Sequence, residues 1–485
     1  MRHAAIYQKA LDVLSRNTAL VAGYPKPLLI EGSTYRGVWL ECAPLEGLVY
    51  ASIDSEAARE NHMVFFSLER EDGQIPCAVK MGGIGFAQIQ MVVPIAATAW
   101  ELSQQTGDGE LLEKAYAGCS RWDAWLRRYR DTRHTGLCEG FCTYDTGHDN
   151  SPRWNGIPNR CPDGDARRCP PIQSMPRLCP DLSATVYGGR MALAAMARAL
   201  GRNSEADRWL ADAALIRAAI LDRLYSEEDR AFYDVDRQGG FVRIRGDLIT
   251  RVLSEHVPDG KLFEQIYGRQ IRSPQAFWAP YPLPSIALND PGFVRPIPRN
   301  SWGGASQALT ALRAPRWMEH YGKPADLAHL MQQWVYAILR EGRFLQQMDP
   351  MTAGQFTEDA ADYSPAALVL VDFTWRLAGV RQAGDRLEWN IRPPEAGVES
   401  RFELRVNPTL TARLEYTAAG ARISINGKPV LQTAGVVRLI TDFRGGLKNA
   451  AGIHSAPAKV SVEHVTGAKQ WFAVKPNETI PLGAS

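Results

Sequence analysis

The chain has 485 residues, of which 45% are hydrophobic and 22% charged, values of an ordinary globular protein rather than a disordered or membrane-embedded one. Its 55 basic side chains nearly balance 53 acidic ones, so no net field draws it to nucleic acid or an anionic membrane, and a small neutral partner fits better. No run of about eighteen apolar residues occurs, and the first residues lack the apolar core of a signal peptide; a cytoplasmic protein is expected, or a periplasmic or secreted one if a leader has been trimmed.

Helix-period segments are predicted near 3–17 and 54–67, separated by a long aromatic connection from Glu31 to Glu46. A run through Trp100 breaks at Gly107, and the next carries Leu111, Tyr116 and Trp122. After the long connection Cys138 to Cys179, a run ending in Leu193, Met196 and Leu200 meets Gly201, where a left-handed cap belongs. Ser204 and Asp207 can cap the following helix, which carries Trp209, Ile216, Ile220 and Leu224. A third long connection, Arg272 to Gly304, leads to a segment that meets Gly322, and Pro324 opens a helix with Leu327, Leu330, Trp334 and Ile338 on one stripe. A fourth, Phe344 to Tyr363, precedes a helix at 364–378. Roughly ten to twelve helices joined as antiparallel neighbours, with short links alternating with long ones, suit a mainly α fold: an (α/α)6 toroid whose long loops build a site.

After about residue 382 the period changes to two, through Leu387, Trp389, Ile391, then Phe402, Leu404, Val406, then Leu410, Ala412, Leu414, Tyr416, then Ile423 and Ile425. Asn426-Gly427 is a strong hairpin turn. We therefore expect a catalytic toroid over 1–381 and an accessory antiparallel β-sandwich over 382–485, either a structural lid, which the sequence favours, or a sugar-binding accessory.

All eight cysteines (42, 77, 119, 138, 142, 161, 169, 179) lie in the first 180 residues. Their even number admits disulfides in the Pro-rich segment from Cys161 to Cys179, while free, partly buried thiols suit a large cytosolic domain equally well. Cys138 and Cys142 would share a helix face, but no paired Cys or His motif completes a zinc site. Neither metal nor organic cofactor is expected.

Chemistry concentrates in one loop, where Asp145, His148, Asp149, Arg153 and Trp154 fall within ten residues and Gly147 and Pro152 force turns. Glycoside hydrolysis needs a carboxylic acid to protonate the leaving oxygen, a second carboxylate to activate water or attack, and aromatic rings against the sugar. A purely structural Asx-turn with an Asp149–Arg153 contact fits the same spacing. The order of residue types, Gly147, Asp149, Ser151, Arg153, Trp154, resembles the general-acid signature of the trehalase and processing α-glucosidase (mannosyl-oligosaccharide glucosidase) families. The resemblance runs in patches to about residue 380. It implies an inverting glycosidase on an (α/α)6 barrel, with Asp149 as general acid and Arg153 and Trp154 against the sugar. Asp145 stands where trehalases carry Glu.

The same resemblance makes Glu31-Gly-Ser-Thr-Tyr-Arg-Gly-Val-Trp-Leu-Glu41 a pocket-forming loop, with Glu31, Tyr35, Trp39 and Glu41 as candidate sugar contacts. It also makes Trp302, in Arg299-Asn-Ser-Trp-Gly-Gly304, a stacking candidate, although Gly303 replaces the Arg that usually follows. The main departure is Gln346, which aligns with the Glu that serves as general base; a neutral amide cannot take a proton from water. Glu358, with Asp359 and Asp362 as neighbours in the same connection, is the expected base, and Gln346 would hydrogen-bond the water or a sugar hydroxyl. Asp362 could instead cap the helix that begins near Tyr363.

The leading expectation is thus an exo-acting, inverting glycosidase on a short saccharide or glycoside. Asp149 would need its pKa raised by burial or by a neighbouring carboxylate such as Asp145. A catalytically lapsed sugar-binding protein is the alternative raised by Gln346. A lyase or epimerase on the same toroid, using Tyr144 or His148 with Arg153, Arg295 or Arg299 around a uronate, is a further one. Sugar identity, anomer and oligomeric state are not legible in the sequence.

Overall fold

The computed structural model describes residues 2–295, 300–354, 361–393, 400–417 and 420–482. Among these, twelve α-helices precede residue 379, and eleven strands follow from Val380 to Pro481. The helices are α1 (Arg2–Asn17), α2 (Ala43–Tyr50), α3 (Ser55–Ser67), α4 (Ile95–Thr106), α5 (Gly109–Tyr129), α6 (Pro180–Ala199), α7 (Asn203–Arg223), α8 (Leu248–Ser254), α9 (Gly260–Ile266), α10 (Ala308–His320), α11 (Pro324–Glu341) and α12 (Ser364–Ala378). None of the described helices is long and apolar enough to cross a membrane.

The chain forms two compact units, one of Met1–Trp317 with Gly342–Leu368, the other of Met318–Glu341 with Val369–Ser485. The change from helix to strand falls at Val380. The compact units divide elsewhere, since α11 and most of α12 group with the strands.

Glycine sets the helix turns. Gly107 closes α4 at φ +70°, a left-handed cap that costs glycine least, and Asp108 then caps α5 by accepting from Leu111 N at 2.9 Å. Gly201 (φ +74°) separates α6 from α7, and Gly322 (φ +66°) separates α10 from α11, which opens on Pro324. Ser204 and Asp207 do not cap α7: the helix starts one residue before Ser204, and Arg202 precedes it without a side-chain cap.

In the second unit, six antiparallel strands (400–407, 410–417, 420–425, 428–434, 458–464, 469–474) form one sheet and five (380–383, 386–391, 437–442, 447–451, 479–481) another. Leu410, Ala412, Leu414 and Tyr416 alternate inward, and they share one apolar cluster with Leu387, Trp389 and Leu439 of the second sheet. Asn426 and Gly427, both at positive φ, make the tight turn between Ile425 and Lys428.

Three small sheets in the first unit place the long loops. Gly37–Trp39 pairs with Ala78–Lys80, Glu139–Gly140 pairs with Arg177–Leu178, and Ser306–Gln307 pairs with Gln347–Met348. These pairings fix the segments that carry Tyr35 to Glu41, Asp145 to Trp154, and Asn300, Trp302 and Gln346.

Candidate active site

The loop that carries Asp149 is held from below. Asp145 is fully buried, pairs with Arg130, and accepts from the backbone N–H groups of Phe141 (2.7 Å), Ile89 (2.9 Å) and Cys142 (3.2 Å). Gly147 then turns the chain at φ +61°, where a Cβ would overlap Oε2 of Glu41. Arg153 is buried and donates to both Asp181 (2.7 Å) and Asp234 (2.6 Å), and also to Nδ1 of His148 (3.0 Å). With Nδ1 accepting, the His148 Nε2–H donates to Asp247 at 2.7 Å. Burial, with the charge of Arg251 next, lowers the His148 pKa to about 4, so the ring is neutral at physiological pH. Burial disfavours the charged form of Asp181, but Arg153 and Arg251 outweigh it and hold that carboxyl well below the usual range.

On this base Asp149 reaches a cavity of about 310 Å³, lined by Glu31, Tyr35, Trp39, Glu41, Trp302 and Gln346 among others. That volume lies at the lower end of small-molecule sites, roughly 300–1,000 Å³. Trp302 N donates to the backbone carbonyl of Asp149 at 2.9 Å. A side-chain relay crosses the cavity: Tyr35 OH donates to Gln346 Oε1 (3.1 Å), Gln346 Nε2 to Asn300 Oδ1 (2.9 Å), and Asn300 Nδ2 to Asp149 Oδ2 (2.8 Å). Burial raises the Asp149 pKa to about 6, against the lowering effect of the Asn300 hydrogen bond. A carboxyl group so placed is protonated in slightly acidic solution and can donate a proton to a group in the cavity.

Further acids lie next to it. Burial, followed by the charge of Glu46, pushes Glu31 up to about 8, and burial followed by the charge of Glu31 does the same to Glu41. Glu46, fully buried on α2, is likewise raised to about 8 by burial. Lys80 and Arg160 bring positive charge to the same wall.

Glu31, Tyr35, Trp39, Glu41, Asp149, Trp302 and Gln346 are therefore brought together. Four other candidate sugar contacts, Asp145, His148, Arg153 and Trp154, are engaged by partners within the protein. Asp145 has its oxygens occupied by Arg130 and backbone donors, and it has no part in raising Asp149, which burial accomplishes. Arg153 is engaged by two aspartates, and His148 lies between Arg153 and Asp247. Trp154 is buried with the Arg153 and Arg177 guanidinium groups near its ring, and its Nε1–H donates to Thr146 at 2.9 Å. Asp362 stands two residues ahead of α12, and its carboxylate accepts from the N–H and hydroxyl of Ser33 rather than from the first turn of the helix. Arg295 pairs with Asp349 at 2.6 Å. Glu358, Asp359 and Arg299 lie outside the described residues. All eight cysteines are free thiols, and the Cys161 and Cys142 sulfurs are 3.7 Å apart.

Sequence reasoning passed over Asn300, Glu46, Lys80 and Arg160. Asn300 stands two residues before Trp302, so the motif that drew attention to the tryptophan contained it. Glu46 gave no signal, because an acid in a helix is ordinarily solvated.

The model of the mannosylglycerate hydrolase MGH1-like glycoside hydrolase domain matches residues 39–371. Among solved structures, GH63 mannosylglycerate hydrolase from Thermus thermophilus in complex with glucose aligns with a TM-score of 0.62 at 19% identity, covering 76% of this chain and 100% of that one. Neutral trehalase Nth1 from Saccharomyces cerevisiae aligns at 0.56 and 12% identity, covering 72% and 73%. The GH78 family rhamnosidase of Bacillus sp. GL1 aligns at 0.56 and 13%, covering 96% of this chain and 41% of that one. At these identities the structural likenesses speak to the fold alone. A sequence search of curated proteins finds no significant match.

Proposed function

The chain belongs to the mannosylglycerate hydrolase MGH1-like glycoside hydrolase family and is a glycoside hydrolase; on that premise we propose that it is an inverting, exo-acting glycosidase on a short saccharide or glycoside, with Asp149 as general acid. The observation that carries this reading is the position of Asp149, a carboxyl raised to about 6 on the wall of a cavity flanked by Tyr35, Trp39 and Trp302. Protonation of the glycosidic oxygen by such a group, while a carboxylate across the ring draws a proton from water, yields the inverted anomer. Glu358 is the proposed base. Gln346, held between Tyr35 and Asn300, orients the water or a hydroxyl. The helical part is read as an (α/α)6 toroid and the two C-terminal sheets as a sandwich, which the likeness to the hydrolases above supports.

Lys80 and Arg160 support a substrate whose leaving group carries a carboxylate, as mannosylglycerate does in the relative that bears its name. The test is a panel of aryl α- and β-glycosides beside glycosylglycerates, with the first-formed anomer followed by NMR. Turnover with inversion that is lost in Glu358→Gln supports the reading, and retention of configuration overturns it. The lapsed-binding alternative, which Gln346 favours, wins if sugars bind but no glycoside is cleaved.

A further inference from the structure

At the cavity wall, Glu31, Glu41 and Cys42 each present one donor atom within 4.8 Å of the other two. The Cys42 thiol donates to Glu31 Oε1 at 3.2 Å, and Tyr363 OH donates to the same oxygen at 3.2 Å. Two short stretches of chain bring the three together: Glu31 lies just after the strand Leu28–Leu29, while Glu41 and Cys42 lie between the strand Gly37–Trp39 and α2.

Arg251 brings positive charge to Glu41, yet several carboxyl oxygens of the cluster lack a hydrogen-bond partner. Glu46 is 0% exposed, and neither of its carboxyl oxygens has a hydrogen-bond partner. The Cys42 thiol beside it has a single proton, already directed at Glu31. Oε2 of Glu41 is likewise buried without a partner. Three buried carboxyl oxygens are thus left without a hydrogen-bond partner of good geometry, which buried polar atoms rarely are.

We propose that Glu31, Glu41 and Cys42 bind a divalent cation of zinc type, with an open coordination position toward the cavity. Two carboxylates with one thiolate select a borderline-soft ion over calcium or magnesium, which take oxygen donors only. A tetrahedral zinc, with bonds of about 2.0–2.3 Å, holds its donors about 3.5 Å apart, so the three atoms need only a small closure to reach it. Binding forms a Zn–S bond and releases the Cys42 proton to solvent, together with any proton on the two carboxyls. Glu31 and Glu41 also line the cavity with Asp149, so the open position would take a sugar hydroxyl.

The other close group of donors, Cys142, Asp145 and Cys161, does not suit a cation. Asp145 is saturated by Arg130 and three backbone N–H groups, and the Arg130 guanidinium also contacts Cys161 Sγ at 3.6 Å.

The test uses the full chain, stripped with a chelator and titrated with Co²⁺ as a spectroscopic substitute for zinc. The expected result is one equivalent bound with a thiolate-to-cobalt charge-transfer band that Zn²⁺ displaces, and zinc should raise the melting temperature of the wild-type protein. Cys42→Ser should abolish the band, Glu31→Gln should weaken binding at least tenfold, and Cys142→Ser should leave both unchanged, with each variant's fold checked by circular dichroism. Absence of a band in the wild type, its survival in Cys42→Ser, or its loss in Cys142→Ser overturns the proposal, as does binding of Ca²⁺ alone. Asp149→Asn should bind cobalt like the wild type, so that failure of the glycosidase reading and failure of the metal site are told apart.

Discussion

Asn300 donates to Oδ2 of Asp149 at 2.8 Å across 151 positions of sequence, and its own Oδ1 accepts from Gln346 at 2.9 Å. One amide thus connects the proposed acid to the residue that stands at the expected base position. It supplies the hydrogen bond that lowers a pKa which burial raises.

Removing that bond should move the pH profile. Asn300→Ala leaves the Asp149 carboxylate less stabilised, so its pKa rises further, by about one pH unit for a hydrogen bond to a charged group. The alkaline limb of kcat/KM, set in the wild type by Asp149 near 6, should shift upward by that amount. A pH–rate profile that keeps its alkaline limb in place would detach Asn300 from Asp149.

Asp149→Asn should lower kcat by about 10²–10⁴-fold on substrates with poor leaving groups. The loss should be much smaller on dinitrophenyl glycosides, whose aglycone departs without protonation. Stability should move the opposite way. The folded state holds the Asp149 proton more tightly than the unfolded chain, so this group's contribution is complete below about 4 and is lost as pH rises through about 6. At pH 8 the variant should therefore unfold at higher denaturant, by on the order of 1 kcal/mol once the partial exposure of the side chain to the cavity is allowed for.

Arg153→Ala should act as a fold mutation. It strands Asp181 and Asp234 in the interior without their shared cation, a change that costs about 3–5 kcal/mol in buried pairs. Urea unfolding measures it. A loss of sugar affinity with unchanged stability would instead return Arg153 to the cavity.

Gly147→Ala and Gly156→Ala should differ sharply although both glycines sit at positive φ. At Gly147 a Cβ meets the Glu41 carboxyl, whereas at Gly156 nothing lies within 4 Å. The second substitution should cost about 1 kcal/mol of backbone strain; the first should also displace Glu41 and abolish activity. Thermal melts and activity assays of the pair make the comparison.

Much of the fold could be read from local rules. Gly107, Gly201 and Gly322 mark helix turns because a left-handed cap suits glycine, and Asn426-Gly427 marks a hairpin for the same reason. The acid loop was visible as a concentration of polar and aromatic types, but the direction each side chain takes was not. Arg153 and Trp154 read as sugar contacts until Asp181, Asp234 and Arg177 supply the partners that turn them inward. Those partners lie 24 to 81 residues away along the chain, beyond any periodicity. The partner of Asp145 was equally invisible, since Arg130 comes from the end of α5.

The knot around Arg153 has a consequence for how this protein loses activity. The loop of Asp149 is fastened to the start of α6 through Asp181, to the strand Asp234–Val235, and to Asp247 at the head of α8. A segment bolted to three separate pieces of the scaffold has no melting of its own. Heat inactivation should therefore coincide with global unfolding of its compact unit, and the half-life of the enzyme at temperature becomes a direct gauge of how long that scaffold stays assembled.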